Sequence, residues 1–238
     1  ELLELQQVKF VSSGNNFEID FGDDDSSSCD ITQATLKDEK GLTLTESFFD
    51  KVHRFLRLRK KLDWNILDLN KTINALGETD FTEKFFIKLS NVKYLKEELK
   101  IDLVELLSWW SNINTDTDAN DSESRSFYEQ LFLNKAVINP IPEGYIFTLS
   151  DDKTKLLDET GIITDYSSAI ASALNISSSD LTLLVDSLST ITLTLSSLSE
   201  LHRKASAAKA FDLEFKEVLA LIDNLPVSPF DNSELNPV

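Results

Sequence analysis

Along most of the chain, apolar residues recur at steps of three and four, the spacing that gathers them on one face of an α-helix. The clearest stretch lies between residues 42 and 69. Its apolar stripe consists of Phe48, Val52, Phe55, Leu56 and Leu62. This pattern predicts a long amphipathic helix that packs along one side.

The ends of this first helix are marked by residues that satisfy free backbone groups. Thr43 and Glu46 have the spacing of a capping box at the start. At the other end, Asp63 follows Leu62 and tolerates the left-handed backbone that ends helices, and Trp64 can fold back onto the last turn. A second helix is predicted to begin immediately afterwards, so the stretch reads as two helices joined by a tight corner.

The same corner pattern occurs four times in the chain. It consists of Leu or Phe, any residue, a large apolar residue, three further residues, Asp or Glu, and then Leu or Val. The first three defined positions are Leu62, Trp64 and Asp68 in the first copy, Leu99, Ile101 and Glu105 in the second, Leu174, Ile176 and Asp180 in the third, and Phe211, Leu213 and Glu217 in the fourth. The copies start 37, 75 and 37 residues apart. A recurring period of this size indicates stacked helical hairpins.

These patterns predict a mainly α fold, arranged as an α-solenoid-like stack of helical hairpins. Two helices joined by a tight corner cannot cover both of their apolar faces alone, so each pair has to pack against the next. A globular helical bundle whose corners share common capping chemistry remains the alternative.

Residues 1–41 differ from the rest and are predicted to form a small β and irregular segment. Val8–Val11 and Asn16–Phe21 alternate apolar and polar residues on either side of a turn-forming run, which predicts a β-hairpin. Residues 42–230 form the predicted helical domain.

The helical domain is interrupted at about residues 112–164 by a polar run and by prolines, which we interpret as an irregular insertion. After it, Ser197 and Glu200 are expected to cap the first helix of the last pair. Residues 231–238 are expected to be a C-terminal tail.

Composition restricts the classes of function. The chain has 238 residues, of which 41% are hydrophobic and 27% charged, enough to bury a core. Its formal net charge of −18 opposes binding to nucleic acid or anionic lipid. Cys29 is the single cysteine, so no internal disulfide can form. The chain has no methionine and no signal peptide at its start, and we interpret it as a piece of a longer protein.

Positive charge is concentrated in one predicted helix. Six of the 23 Lys and Arg residues lie between residues 51 and 61. Arg54, Arg57 and Lys61 are therefore candidates for a subunit or domain interface. The alternative is that these side chains pair with acidic neighbours within the chain.

The residue patterns do not assemble a catalytic or metal site. His53 and His202 are the only histidines, and neither has a second metal-type ligand one helical turn away. Asp116 and Asp118 begin a calcium-like run, but Asp121 stands where such a loop needs glycine. We therefore expect no catalytic residue, no metal and no cofactor.

Three stretches resemble one protein family. His53–Leu58 running into Trp64–Leu69 resembles the helix-corner-helix signature of the A components of bacterial insecticidal toxin complexes, the Tc toxins, and of the related plasmid virulence A proteins. Phe127–Asn134 and Ser228–Phe230 are similar to two further landmarks of that family. The resemblance covers roughly residues 42–230.

This resemblance implies a non-catalytic segment of the helical shell of a very large pore-forming translocator, which helps deliver an enzymatic toxin into host cells. The implied full-length protein is a homopentamer that is secreted or displayed on the bacterial surface. Its implied partners are other toxin-complex subunits and, through other parts of the protein, the host-cell membrane. A free-standing helical-repeat module that binds a protein or peptide is the alternative. An unrecognised hydrolase is disfavoured because the sequence shows no nucleophile–base pair.

Overall fold

The computed structural model describes residues 2–12, 17–20, 35–38, 40–41, 44–118, 121–134, 142 and 144–231. The chain forms two compact units, Glu1–Asn74 and Ala75–Val238. The boundary between the two units falls inside a helix.

The predicted mainly α fold is confirmed. The helices are α1 Leu2–Gln6, α2 Lys9–Ser12, α3 Glu46–Leu62, α4 Ile66–Ala75, α5 Glu83–Leu99, α6 Leu103–Leu107, α7 Phe127–Phe132, α8 Ser167–Leu174, α9 Ser178–Asp186, α10 Leu195–Phe211 and α11 Phe215–Asn224. A 3₁₀-helix at Ile163–Tyr166 leads into α8. Two short strands, β1 Phe17–Asp20 and β2 Thr35–Asp38, lie in the first unit.

The predicted N-terminal hairpin is wrong in its pairing. Strand β1 pairs antiparallel with β2, with Phe17 opposite Asp38 and Asp20 opposite Thr35. The other predicted strand, Val8–Val11, overlaps helix α2 instead. Val8 and Val11 are both buried and the Val11 N–H donates to the Val8 carbonyl at 3.0 Å. Over only four residues, an alternating pattern does not distinguish a strand from one helical turn.

Helix α3 begins one residue beyond Thr45, so the predicted cap at Thr43 is wrong. Thr43 itself lies outside the described residues. The Thr45 hydroxyl accepts a hydrogen bond from the Phe48 N–H at 3.3 Å. Just before it, the Leu44 N–H donates to the Leu36 carbonyl at 3.4 Å. This bond to β2 holds the chain extended up to Leu44, and the helix cannot start before it.

All four corner patterns contain a left-handed residue at their second position. The φ angles are 56° at Asp63, 55° at Lys100, 52° at Asn175 and 53° at Asp212. Each residue directly follows the last residue of a helix. A left-handed residue reverses the direction of the backbone and stops the helix, so the tight turn is built into each copy.

At three of the four corners the apolar third residue folds back onto the helix it leaves. The N–H groups of Trp64, Ile176 and Leu213 donate to the carbonyls of residues five positions earlier, at 3.3, 3.0 and 3.0 Å. This six-to-one bond is that of a Schellman motif, which satisfies a free carbonyl at the end of a helix. The Trp64 side chain is half-buried at this corner.

The acid of the corner pattern is the third residue of the next helix. The Asp68 N–H donates to the Asn65 side chain at 2.6 Å, and the Asn65 amide returns a bond to the Asp68 carboxylate at 2.9 Å. Glu217 accepts from the Glu214 N–H at 2.9 Å. The residue after each acid is buried, at Leu69, Leu106, Leu181 and Val218. At these two corners the acid takes part in a cap, and at all four corners the residue after it is the first core contact of the next helix.

Helix α10 lies in the core of the second unit. Eleven of its 17 residues are buried, so nearly every side of it is covered. It begins at Leu195, three residues before the predicted start, because Thr194 and Ser197 cap it reciprocally. The Thr194 N–H donates to the Ser197 hydroxyl at 2.9 Å and the Ser197 N–H donates to the Thr194 hydroxyl at 3.0 Å. The predicted cap at Ser197 and Glu200 is therefore wrong.

The insertion predicted at about 112–164 contains helix α7 and several turns. Ser126 and Glu129 form a capping box at the start of α7. Tyr128 is fully buried, and its hydroxyl donates to the Phe147 carbonyl at 2.8 Å. This bond fastens the turn around Phe147 to α7.

The corners yield a test of backbone strain. Lys100→Gly is expected to stabilise the protein by about 0.5–1 kcal/mol, because glycine has no Cβ to strain in the left-handed region. Urea unfolding checks this. The matched change Lys93→Gly, inside α5, is expected to lower stability by about 1 kcal/mol. An equal loss of stability in both variants would contradict the prediction.

Candidate functional site

The basic segment predicted as an interface lies on helix α3, and three of its cations contact neighbours in the first unit. Arg54 lies 3.7 Å from the carboxylate of Asp50 one turn earlier. The Arg59 Nε–H donates to the Trp64 carbonyl at 3.2 Å. The Lys51 ammonium lies 5.7 Å from the centre of the Phe10 ring. These side chains are therefore partly engaged in holding the unit together.

The other cations of α3 extend into solvent. Arg57, Lys60 and Lys61 are exposed, and within the part of the chain that the structure describes they form no ion pair. The structure thus divides the predicted group, with Arg54 paired to its own helix and with Arg57 and Lys61 exposed. The interface itself stays a prediction.

A network of buried hydrogen bonds, which we call the polar seam, joins α10 to residues 105–113, the segment that includes the end of α6. The sequence did not predict it. In its first part, the Trp109 indole N–H donates to the Ser206 hydroxyl at 3.0 Å. The Ser206 hydroxyl in turn donates to the Glu105 carboxylate at 2.8 Å. Glu105 is the acid of the second corner, and here it bonds to α10 rather than to its own helix cap. Buried polar groups need such partners because an unpaired one costs about 1–3 kcal/mol.

The seam continues along α10 with bonds to the chain that follows α6. The Ile113 N–H donates to the Ser199 hydroxyl at 2.9 Å. The Arg203 guanidinium donates to the Ser111 carbonyl at 3.0 Å. The irregular backbone after α6 is thereby satisfied by side chains of α10.

Further hydrogen bonds join α10 to the C-terminal ends of α8 and α9. The buried Lys204 ammonium donates to the Glu200 carboxylate at 2.8 Å and to the Ser187 hydroxyl at 3.0 Å. Lys209 donates to the Leu174 carbonyl at the third corner at 2.8 Å. Polar side chains of α10 therefore reach the ends of both α8 and α9.

Ser108 and His202 form the one contact of the seam that looks like a nucleophile–base pair. The Ser108 hydroxyl lies 3.0 Å from His202 Nδ1 and also donates to the Glu105 carbonyl at 2.6 Å. A serine hydroxyl has a single hydrogen, so Nδ1 must carry the proton and donate to Ser108. In this arrangement His202 cannot take a proton from Ser108, and both residues are buried.

Burial also sets the protonation of the imidazole. Loss of solvation, reinforced by the positive charges of Lys209 and Arg203, lowers the pKa of His202 to about 4. The ring of Phe127 packs edge-on against the imidazole, with 5.2 Å between the ring centres. His202 is therefore neutral at pH 7 and acts as a packing and hydrogen-bonding residue.

The sequence carried a signal of this seam in the composition of α10. The helix combines small residues with serines on several faces, where an ordinary surface helix has one apolar stripe. Such a helix indicates close packing on all sides. The sequence does not predict which residues bond to the polar groups of α10, because those partners lie about ninety residues earlier in the chain.

A shallow cleft of about 180 Å³ lies beside α7 in the second unit. The stacked rings of Phe132 and Phe147, with 5.3 Å between their centres, form part of its lining. Its polar lining residues are Gln130, Asn134, Tyr145 and Ser172. Burial raises the pKa of Tyr145. None of the described lining residues is a carboxylate, a histidine or a lysine, so these residues offer no acid–base pair near pH 7.

The described residues contain no group of three or more His, Cys, Asp or Glu side chains placed to hold a metal ion. Among the described helices, none by itself has the length and apolarity needed to span a bilayer. The pair Ile163–Leu174 and Ser178–Asp186, bent by 117°, reaches that threshold by length and composition when taken together.

No protein-family model matches the chain, and no curated protein matches it.

The seam yields a stability prediction. Ser206→Ala removes the acceptor of Trp109 and the donor to Glu105, and is expected to destabilise the protein by about 1–3 kcal/mol. Ser196→Ala, an exposed position on the same helix, is the matched control and is expected to change stability by less than about 0.5 kcal/mol. Urea unfolding measures both. Equal, small effects would show that the seam contributes little to stability.

The neutral His202 predicts a dependence of stability on pH. Its pKa is about 4 in the folded protein and near 6.5 when unfolded, so the unfolded chain binds the proton more readily. The stabilising contribution is complete above pH 6.5 and is lost as pH falls towards 4, by up to about 1.4 kcal/mol per pH unit. His202→Asn keeps a donor near Ser108 and does not titrate. Urea midpoints of the two proteins should diverge over this range, whereas parallel curves would contradict the assignment.

Proposed function

We propose that this chain is a non-catalytic structural segment of the A component of a bacterial insecticidal toxin complex, a pore-forming subunit that helps deliver an enzymatic toxin into host cells. In this proposal the helical pairs stack as an α-solenoid within the shell of the subunit. The remaining subunits of the complex are the partners of the full-length protein, which is secreted or displayed on the cell surface.

The recurrence of one corner carries the proposal. Each copy has a left-handed residue, and the residue after its acid is buried. One unit of local structure used four times is typical of proteins that extend by adding helical pairs. An enzyme has no general need for such repetition, whereas a long shell is built from it.

Two of the three resembling stretches pack against the same region of the second unit. The Phe127 ring contacts His202 on α10. Near the C-terminal end, the Trp110 indole donates to the Pro229 carbonyl at 3.1 Å, and the Phe230 ring lies 6.1 Å from that of Trp109. The stretches that resemble the family thus serve as packing anchors, which is the role a structural segment needs from them.

The chemistry of the described residues supports a role without catalysis. The Ser108–His202 pair is buried and has its proton on the wrong nitrogen for base catalysis. The described residues that line the cleft beside α7 include no acid–base pair. The polar groups of the seam hold helices of the second unit together.

A free-standing helical-repeat module that binds another protein is the second candidate. It is favoured by the exposed apolar residues near the C-terminal end, where Leu221, Leu225 and Val227 are 55%, 48% and 42% exposed. A module of this kind would use that surface for a partner. In a longer shell, the same surface would be covered by the next helical pair.

The properties of the full-length protein distinguish the two candidate functions. We expect the complete reading frame around this segment to encode a much larger polypeptide that forms ring-shaped oligomers in electron micrographs and conducts ions across planar lipid bilayers. Replacing Trp109 by alanine in the full-length protein is expected to reduce the yield of these oligomers, because the ring joins α10 to the C-terminal anchor. Tyr94→Ala, at an exposed aromatic residue, is the control.

A reading frame that ends close to this segment would contradict the toxin-complex proposal. So would a full-length protein that stays monomeric and leaves bilayers intact. Capture of a defined protein by the segment alone, abolished by Leu221→Asp, would favour the interaction module instead.

A further inference from the structure

The solvent side of helix α3 carries charges of both signs in separate halves. We define its outer face as the exposed residues Glu46, Phe49, Asp50, His53, Arg57, Lys60 and Lys61. Each of them lies three or four positions from another member of the set, so they share one side of the helix. The acids occupy the first half and the three unpaired cations the second. This face spans about 22 Å along the axis, at 1.5 Å per residue.

From this arrangement we propose that the outer face of α3 is a self-association surface, on which a second copy of the chain docks its own α3 in antiparallel orientation. Antiparallel pairing puts Glu46 opposite Lys61 of the second copy and Asp50 opposite Arg57 of the second copy. A two-fold axis then passes close to His53. The same patch serves both copies, as in an isologous dimer.

Charge decides between orientations and between partners. A parallel pair would set acids against acids and cations against cations, which is repulsive. A nucleic acid or an anionic membrane would attract the cations but would meet Glu46, Asp50 and a chain of net charge −18. Only a surface of two signs in reversed order satisfies both halves, and α3 itself provides one.

An aromatic residue adds an apolar contact to the charge pattern. Phe49 is 45% exposed although it lies among charged neighbours. In the antiparallel pair its ring comes beside Arg57 of the second copy, where stacking of a guanidinium on an aromatic face is favourable. Aromatic and arginine side chains are also the types that contribute most at interfaces.

The predicted dimer is weak and reversible. A single helix face buries less than the roughly 800 Å² per partner of standard stable complexes. Association should therefore depend on protein concentration. The proposal stands on the charge and exposure of α3 alone, and so it holds or fails independently of the toxin-complex proposal.

Sedimentation equilibrium of the 238-residue chain and its charge variants tests the proposal. Arg57→Glu with Lys61→Glu makes the face mainly acidic, with Lys60 as its one remaining Lys or Arg. Glu46→Lys with Asp50→Lys removes both acids and makes the face basic. Each variant alone is expected to dimerise at least about ten-fold more weakly than the wild type. An equimolar mixture of the two is expected to form a heterodimer, because the basic face of one variant then meets the mainly acidic face of the other.

The matched control for the acidic variant is Lys84→Glu with Lys100→Glu, which makes the same change in net charge at exposed positions of the second unit. It is expected to dimerise like the wild type. The sign-exchanged chain, which carries both Asp50→Lys and Arg57→Glu, exchanges the signs of the inner pair and leaves Glu46 and Lys61 unchanged. It is also expected to dimerise, because each inner residue still meets an opposite charge. Circular dichroism melts verify that each variant is folded.

Three outcomes would overturn the proposal. The first is a wild type that remains monomeric at every concentration. The second is dimerisation of the acidic and basic variants as strong as that of the wild type, and the third is a mixture of the two variants that stays monomeric. If a face variant fails to fold, the sign-exchanged chain decides, since loss of dimerisation there with a native melt would also overturn it.

Discussion

The second unit depends on one constraint, which is that a helix buried on nearly all sides must find a partner for every polar group it carries. Helix α10 contains buried serines, a histidine and a lysine, and each of these would cost more than it contributes if left unpaired. The seam meets this requirement with side chains and backbone groups from the α6 segment and from the ends of α8 and α9. The arrangement of those elements around α10 follows from these bonds as much as from apolar contact.

Two kinds of interaction hold the fold, and they act over different distances in the sequence. The corners are local, since the left-handed residue, the apolar residue after it, the acid and the buried residue that follows all lie within eight positions. They fix where each helix ends and which residue of the next helix is buried first. The seam is non-local and fixes which helices meet. A protein with corners alone would have the right helices without a unique packing.

This division explains what could be predicted from the sequence. The left-handed positions Asp63, Lys100, Asn175 and Asp212 fall inside the sequence repeat, because the chemistry that ends a helix is encoded in neighbouring residues. The start of α3 was misplaced because an alternative cap at Thr45 is favoured by a bond between Leu44 and Leu36, which no local pattern reveals. The seam was missed for the same reason, since the bond between Trp109 and Ser206 joins residues 97 positions apart. The sequence predicted where the helices end at the corners, whereas tertiary contacts determined which helices pack together.

The distance spanned by the seam affects the chain as it is synthesised. Trp109 and Ser108 leave the ribosome well before the serine and histidine that satisfy them, and at about 5–20 residues per second that interval lasts roughly 5–20 s. During this time the corner helices can form, while the indole and the backbone after α6 stay hydrated and exposed. The core of the second unit therefore cannot be completed until α10 has been synthesised, and until then Trp109 lacks the partners that bury it.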